Sequence, residues 1–84
     1  MNKTKPNSTF QEQFLVSLKP WLYIEDIMVL INVGYNKAYN IKKEIMKKHN
    51  TLYPIPTEIV LDHLGINEQR LERAAMKEKK LLGT

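Results

Sequence analysis

Apolar residues recur along this chain at helical spacing, interrupted by short breaks. Phe10, Phe14, Leu15 and Leu18 repeat at intervals of three and four, the period of one helix face. Ser8 and Gln11 have the spacing of a capping box and predict a helix start near residue 8. Pro20 ends that helix, because a residue preceding proline avoids the helical region. Ile24, Ile27, Leu30 and Ile31 mark a second helix over 24–31, with Glu25 and Asp26 in its first turn, where carboxylates favour the positive end of the helix dipole. Asn32-Val33-Gly34 is a break, since Asn and Gly most easily leave the right-handed helix. A third helix is predicted over 35–48. Residues 50–56 contain two prolines and predict an extended or turn-like link, at most a reduced hairpin. A short fourth helix follows Pro56-Thr57, carries Ile59, Val60, Leu61 and Leu64, and stops at Gly65. Asn67 can cap a last helix over 68–81.

The second and third helices, joined by three residues, have the form of a helix-turn-helix unit. Ala38, Ile41 and Ile45 fall on one face of the third helix and predict its contact with Ile27, Ile31 and Val33. Asn36, Asn40, Lys43 and Lys47 fall on the opposite face, flanked by Lys37, Lys42 and Lys48. Tyr35, Tyr39 and Met46 form a strip beside it, expected to pack under residues 52–55. Trp21, Phe10 and Phe14 are expected in the core.

Charge sharpens that picture. The chain has 84 residues and a net charge of +4, which alone suits a polyanionic partner no better than it suits many small soluble proteins. Its distribution is more telling: residues 34–50 carry five lysines against Glu44 alone. A helix fits the major groove of B-DNA, where Asn can pair with adenine and Lys can reach guanine or phosphate. Gly34 leaves backbone N–H groups open to a phosphate oxygen. The candidate DNA-binding residues are therefore Gly34, Tyr35, Asn36, Lys37, Tyr39, Asn40, Lys42, Lys43, Lys47 and Lys48.

Other chemistry finds little support. There are no cysteines, so no disulfide and no thiolate metal site can form. His49 and His63 lack metal-ligand spacing and are expected at the surface. Glu25 and Asp26 are adjacent in a first turn and point apart, so they make no carboxylate dyad. No nucleophile motif or glycine-rich phosphate loop occurs. Neither catalysis nor a cofactor is expected. No apolar run has the length of a membrane span, and no signal peptide is recognisable, which leaves the cytoplasm as the expected compartment.

The segment Trp21-Leu22-Tyr23-Ile24-Glu25-Asp26-Ile27-Met28, continued by Asn32-Val33-Gly34-Tyr35-Asn36-Lys37-Ala38-Tyr39-Asn40-Ile41-Lys42-Lys43-Glu44-Ile45, resembles small excisionase-like and MerR-related DNA-binding proteins of phages and mobile genetic elements. Ile55-Pro56-Thr57-Glu58 through Leu64-Gly65-Ile66 resembles the segment that follows the wing in that family. Gly34 stands where the family usually has Ser or Thr, and Asn40 where Arg is common. The resemblance implies a role in excision or transcription, through duplex DNA.

The expected fold is all-α, a compact helix-turn-helix bundle of four to five helices with at most a rudimentary wing at 50–56. Residues 1–7 are read as a flexible arm, 8–66 as the helix-turn-helix domain and 67–84 as a basic C-terminal helix. A homodimer or a larger protein partner would add affinity to so small a module. The alternative function is an accessory subunit of a replication or priming enzyme of such an element, docking through Phe10, Phe14 and the last helix, with single-stranded DNA as a further ligand.

Overall fold

The computed structural model describes residues 6–82 and is a mainly helical bundle of five helices with one two-stranded antiparallel sheet. In chain order these are α1 (Phe10–Ser17), β1 (Trp21–Leu22), α2 (Ile24–Ile31), α3 (Tyr35–His49), β2 (Ile55–Pro56), α4 (Thr57–Leu64) and α5 (Glu68–Leu82). Residues 1–5 of the expected N-terminal arm lie outside the described residues. Helix α5 packs on α1, α1 on α2, and α2 on α3, while α4 packs on α3 and the sheet. The molecule measures 43 × 31 × 17 Å.

The breaks read from the sequence are where the backbone turns. Asn32 ends α2 in the left-handed conformation (φ 52°) and Gly65 ends α4 in the same way (φ 69°), the αL helix stop that Gly and Asn supply. Asn67 caps α5 by accepting from Arg70 N at 3.1 Å. Asp26 is buried and closes the start of α2: its Oδ2 accepts from Tyr23 N at 2.9 Å and its Oδ1 pairs with Lys19 Nζ at 2.7 Å. Glu25 is exposed, so the two carboxylates do point apart.

Leu22, Ile27, Ala38, Ile45, Ile55 and Val60 are fully buried and form the centre of the core. Ile31, Val33 and Ile41 pack against it, partly covered. The helix-turn-helix pair thus meets through the residues that their spacing put on the facing sides.

Four expectations need correction. The cap of α1 is Thr9, whose hydroxyl accepts from Glu12 N while Glu12 accepts from Thr9 N, a complete capping box. Ser8 is engaged elsewhere: its N–H donates to Asn32 Oδ1 at 2.8 Å. Second, residues 50–56 form no hairpin of their own. Ile55–Pro56 instead pairs with Trp21–Leu22, with Trp21 opposite Pro56 and Leu22 opposite Ile55. Thr57 fastens this pairing, donating its backbone N–H to Pro20 O at 3.2 Å and its hydroxyl to Lys19 O. Third, Trp21 and Phe10 are not core residues: they are 53% and 49% exposed. Along residues 21–24 burial alternates, with Trp21 out, Leu22 in, Tyr23 out and Ile24 in; in β1 itself, burying Leu22 sends Trp21 to the surface. On α1 the buried residues are Gln13, Val16 and Ser17, because α2 and α5 both pack on this helix; Leu15 and Leu18 are left exposed. Fourth, Leu52 and Tyr39 are both exposed, so residues 52–55 do not cover the tyrosine strip as expected.

A long-range cap joins α5 to α1. Glu78 of α5 accepts from Phe10 N and Gln11 N, each at 2.9 Å, so one carboxylate satisfies two of the N–H groups that a helix start leaves without partners. Replacing Glu78 by Ala is expected to cost about 1–2 kcal/mol, the range of lost charged helix caps. The exposed Glu72 makes no such bond, and Glu72→Ala is expected within about 0.5 kcal/mol of the parent. Urea unfolding of both variants checks the difference.

Candidate nucleic-acid interface

Helix α3 is fifteen residues long, with Gly34 as its N-cap and Asn50 as its left-handed stop (φ 52°). Ala38 and Ile45 are 0% exposed on its inner face. Asn36, Asn40, Lys43 and Lys47 are all exposed on the other face. Nothing within the described residues buries that row or salt-bridges its lysines. Lys37 and Lys48 are exposed as well, while Lys42, Gly34 and Tyr35 are partly covered. All ten candidate residues therefore lie on one helix and its cap, with a shallow depression of about 700 Å³ running beside Asn40, Lys43 and Lys47.

The electrostatics of this helix differ from those of the others. The first turns of α1, α2, α4 and α5 each contain at least one carboxylate; that of α3 contains none. Gly34 contributes no side-chain cap. The positive end of the α3 dipole is therefore not offset by an acidic side chain of its own first turn, and that polarity favours an external anion. At the other end Lys47 and Lys48 occupy the last turn, where cations stabilise the helix itself.

The tyrosine strip lies along one shoulder of this face. Tyr35 and Tyr39 stack with centroids 6.3 Å apart and rings inclined by 14°. Lys42 Nζ lies 4.8 Å from the Tyr39 centroid and also 4.8 Å from that of Tyr53, and Lys43 Nζ is 5.5 Å from Tyr39. Tyr53 then meets Tyr23 edge-on at 5.6 Å and accepts from Ile24 N at 2.8 Å through its hydroxyl. Nothing in the spacing of the sequence marks Tyr23 and Tyr53 as neighbours of the interface. They come together through the β1–β2 pairing, which local spacing does not encode.

The two histidines also depart from expectation. His49 Nε2 and His63 Nδ1 are 3.3 Å apart, and His63 Nε2 lies 3.4 Å from Glu44 Oε1. The His63 side chain is only 11% exposed, because α3 and α4 pack together there. Among the described residues no group of three or more His, Asp or Glu side chains is arranged to hold a metal ion. Nor, among those residues, is any helix long and apolar enough to cross a membrane.

The chain matches no family model, no curated protein and no solved structure.

Proposed function

We propose that this protein binds duplex DNA in a sequence-specific manner by laying α3 in the major groove. The observation that carries this reading is the division of α3: Asn36, Asn40, Lys43 and Lys47 exposed along one side, Ala38 and Ile45 sealed against the bundle on the other. Asn36 and Asn40 offer the paired donor and acceptor that recognise adenine, and Lys43 reaches guanine or phosphate. Lys37, Lys42, Lys47 and Lys48 supply charge to the flanking phosphates, which fix register without reading sequence. Gly34 lets a phosphate approach the first turn. The role implied by the sequence resemblance is that of an excisionase-like or transcriptional regulatory factor of a mobile genetic element, acting in the cytoplasm without catalysis or cofactor. A homodimer would supply the affinity that one short helix lacks.

The apolar surface of α1 and α5 favours a second reading. Phe10, Leu15, Leu18, Met76 and Leu81 are exposed there, beside the cations Arg73, Lys77 and Lys80 of α5. Basic charge around apolar side chains suits an acidic, apolar segment of a larger protein, such as a replication or priming enzyme to which this chain would be an accessory subunit.

Amide chemical shifts followed during titration with duplex DNA separate the two. The first reading expects the largest changes at Asn36, Asn40, Lys43 and Lys47, with α5 little altered. Changes confined to α1 and α5, or none at all, would remove it.

A further inference from the structure

All four tyrosines of this chain lie in one connected strip. Tyr35 stacks on Tyr39, Lys42 bridges Tyr39 to Tyr53, and Tyr53 meets Tyr23. Trp21, two residues from Tyr23, is likewise exposed. The strip thus runs from the first turn of α3, across the β1–β2 pair, to the start of α2. Tyr23, Tyr39, Tyr53 and Trp21 each expose a third or more of their surface. So much aromatic surface on a small domain marks an interaction site.

Structure explains only part of it. The Tyr53 hydroxyl holds the start of α2, so Tyr53 has a scaffold role. Tyr39 is exposed on an α3 face that the core does not use, and so is Trp21 opposite Pro56. Aromatic rings interleaved with lysines suit a ligand that combines flat apolar faces with regular negative charge. Duplex DNA hides its base faces within the stack; unpaired nucleotides present both.

We infer that the strip Tyr35–Tyr39–Lys42–Tyr53–Tyr23 holds unpaired nucleotides beside the duplex carried by α3, so that the protein prefers a junction of double and single strands. The bases stack on the exposed rings, and Lys42 and Lys43 move from the tyrosine faces to the phosphates. This inference rests on the nucleic-acid reading of α3, and its test separates the two.

The test compares a blunt duplex with the same duplex bearing a short thymidine tail, each titrated into the full chain and followed by Trp21 fluorescence and by anisotropy of a labelled strand. The tail is expected to tighten binding by about five-fold or more, the factor that roughly 1 kcal/mol of base stacking carries. In Tyr39→Ala the ratio of tailed to blunt affinity falls towards one. In Tyr39→Phe, which keeps the ring, the ratio is retained. Far-ultraviolet circular dichroism confirms that both variants fold. An equal affinity of the parent for tailed and blunt duplex would overturn the inference, as would a ratio unchanged in Tyr39→Ala. Loss of the tail effect in Tyr39→Phe would also overturn it, by assigning the effect to a hydroxyl–phosphate bond. Tyr39-dependent binding of a thymidine strand with no affinity for blunt duplex would defeat the duplex reading of α3 and leave the strip as a single-strand site.

Discussion

Replacing Lys43 and Lys47 together by glutamine is expected to weaken duplex DNA binding about a hundred-fold and to leave the fold intact. Both side chains are exposed and lie one turn apart on the outer face of α3. Glutamine is as good a helix former as lysine, and exposed substitutions of this kind usually change stability by less than about 0.5 kcal/mol. The binding loss has two sources. Each lysine that neutralises a phosphate releases condensed counterions, and each that reaches a base edge adds about 1–3 kcal/mol of discrimination. Together roughly 3 kcal/mol is at stake, or about two factors of ten. The contrasting pair is Lys79→Gln with Lys80→Gln, also exposed but at the end of α5, which packs on α1, separated from α3 by α1 and α2. That variant carries the same change in net charge and is expected to lose far less affinity. Equal losses in the two pairs would mean that net charge, not the α3 face, drives binding.

Ile45→Ala is expected to have the largest effect on stability, about 2–5 kcal/mol. Ile45 is fully buried on the inner side of α3, in the cluster that also holds Ile27, Ala38 and Val60. Removing its outer carbons forfeits transfer free energy and leaves a void that a close-packed core refills only in part. A domain of this size has a total stability of about 4–13 kcal/mol, so the variant approaches the unfolded state. Ile45→Val, which deletes a single methylene, is expected to cost about 1 kcal/mol. Urea midpoints at constant m value distinguish these outcomes. A small loss at Ile45 would mean that α3 is not anchored to the bundle, and a groove-reading helix needs that anchor to hold its side chains in register.

The sequence made local structure legible wherever period and punctuation agreed. The α2 and α4 segments show a clear apolar repeat, with Asn32 and Gly65 as stops, and the inner and outer sides of α3 follow from spacing alone. What stayed hidden depends on contacts between distant segments. Ser8 and Thr9 both precede a residue able to complete a capping box. The bond from Ser8 N to Asn32, the stop of another helix, takes up the N–H that a Ser8 capping box would need and leaves that role to Thr9. The partner of Ile55–Pro56 is a two-residue strand more than thirty positions earlier, too short to leave a period-two signal. Trp21 is expected in the core, yet the burial of Leu22 beside it sets the side of β1 that Trp21 takes. His49 and His63 look unrelated in sequence and meet because α3 packs on α4. Glu78 reads as one charge among many on α5, and its capping of α1 appears only once the two helices are side by side. The candidate interface was legible because it lies on one helix; its aromatic shoulder, shared among α3, β1 and the loop before β2, was not.

The most direct test of a DNA-facing α3 is the salt dependence of duplex binding in the parent and in the Lys43→Gln, Lys47→Gln variant. Plotted as log K against log salt concentration, the parent should fall steeply, and the variant less so by about 1.8, the counterion release of two phosphate contacts. Parallel lines for the two proteins would contradict the account, because they would place the contacts with DNA on some other surface of the molecule.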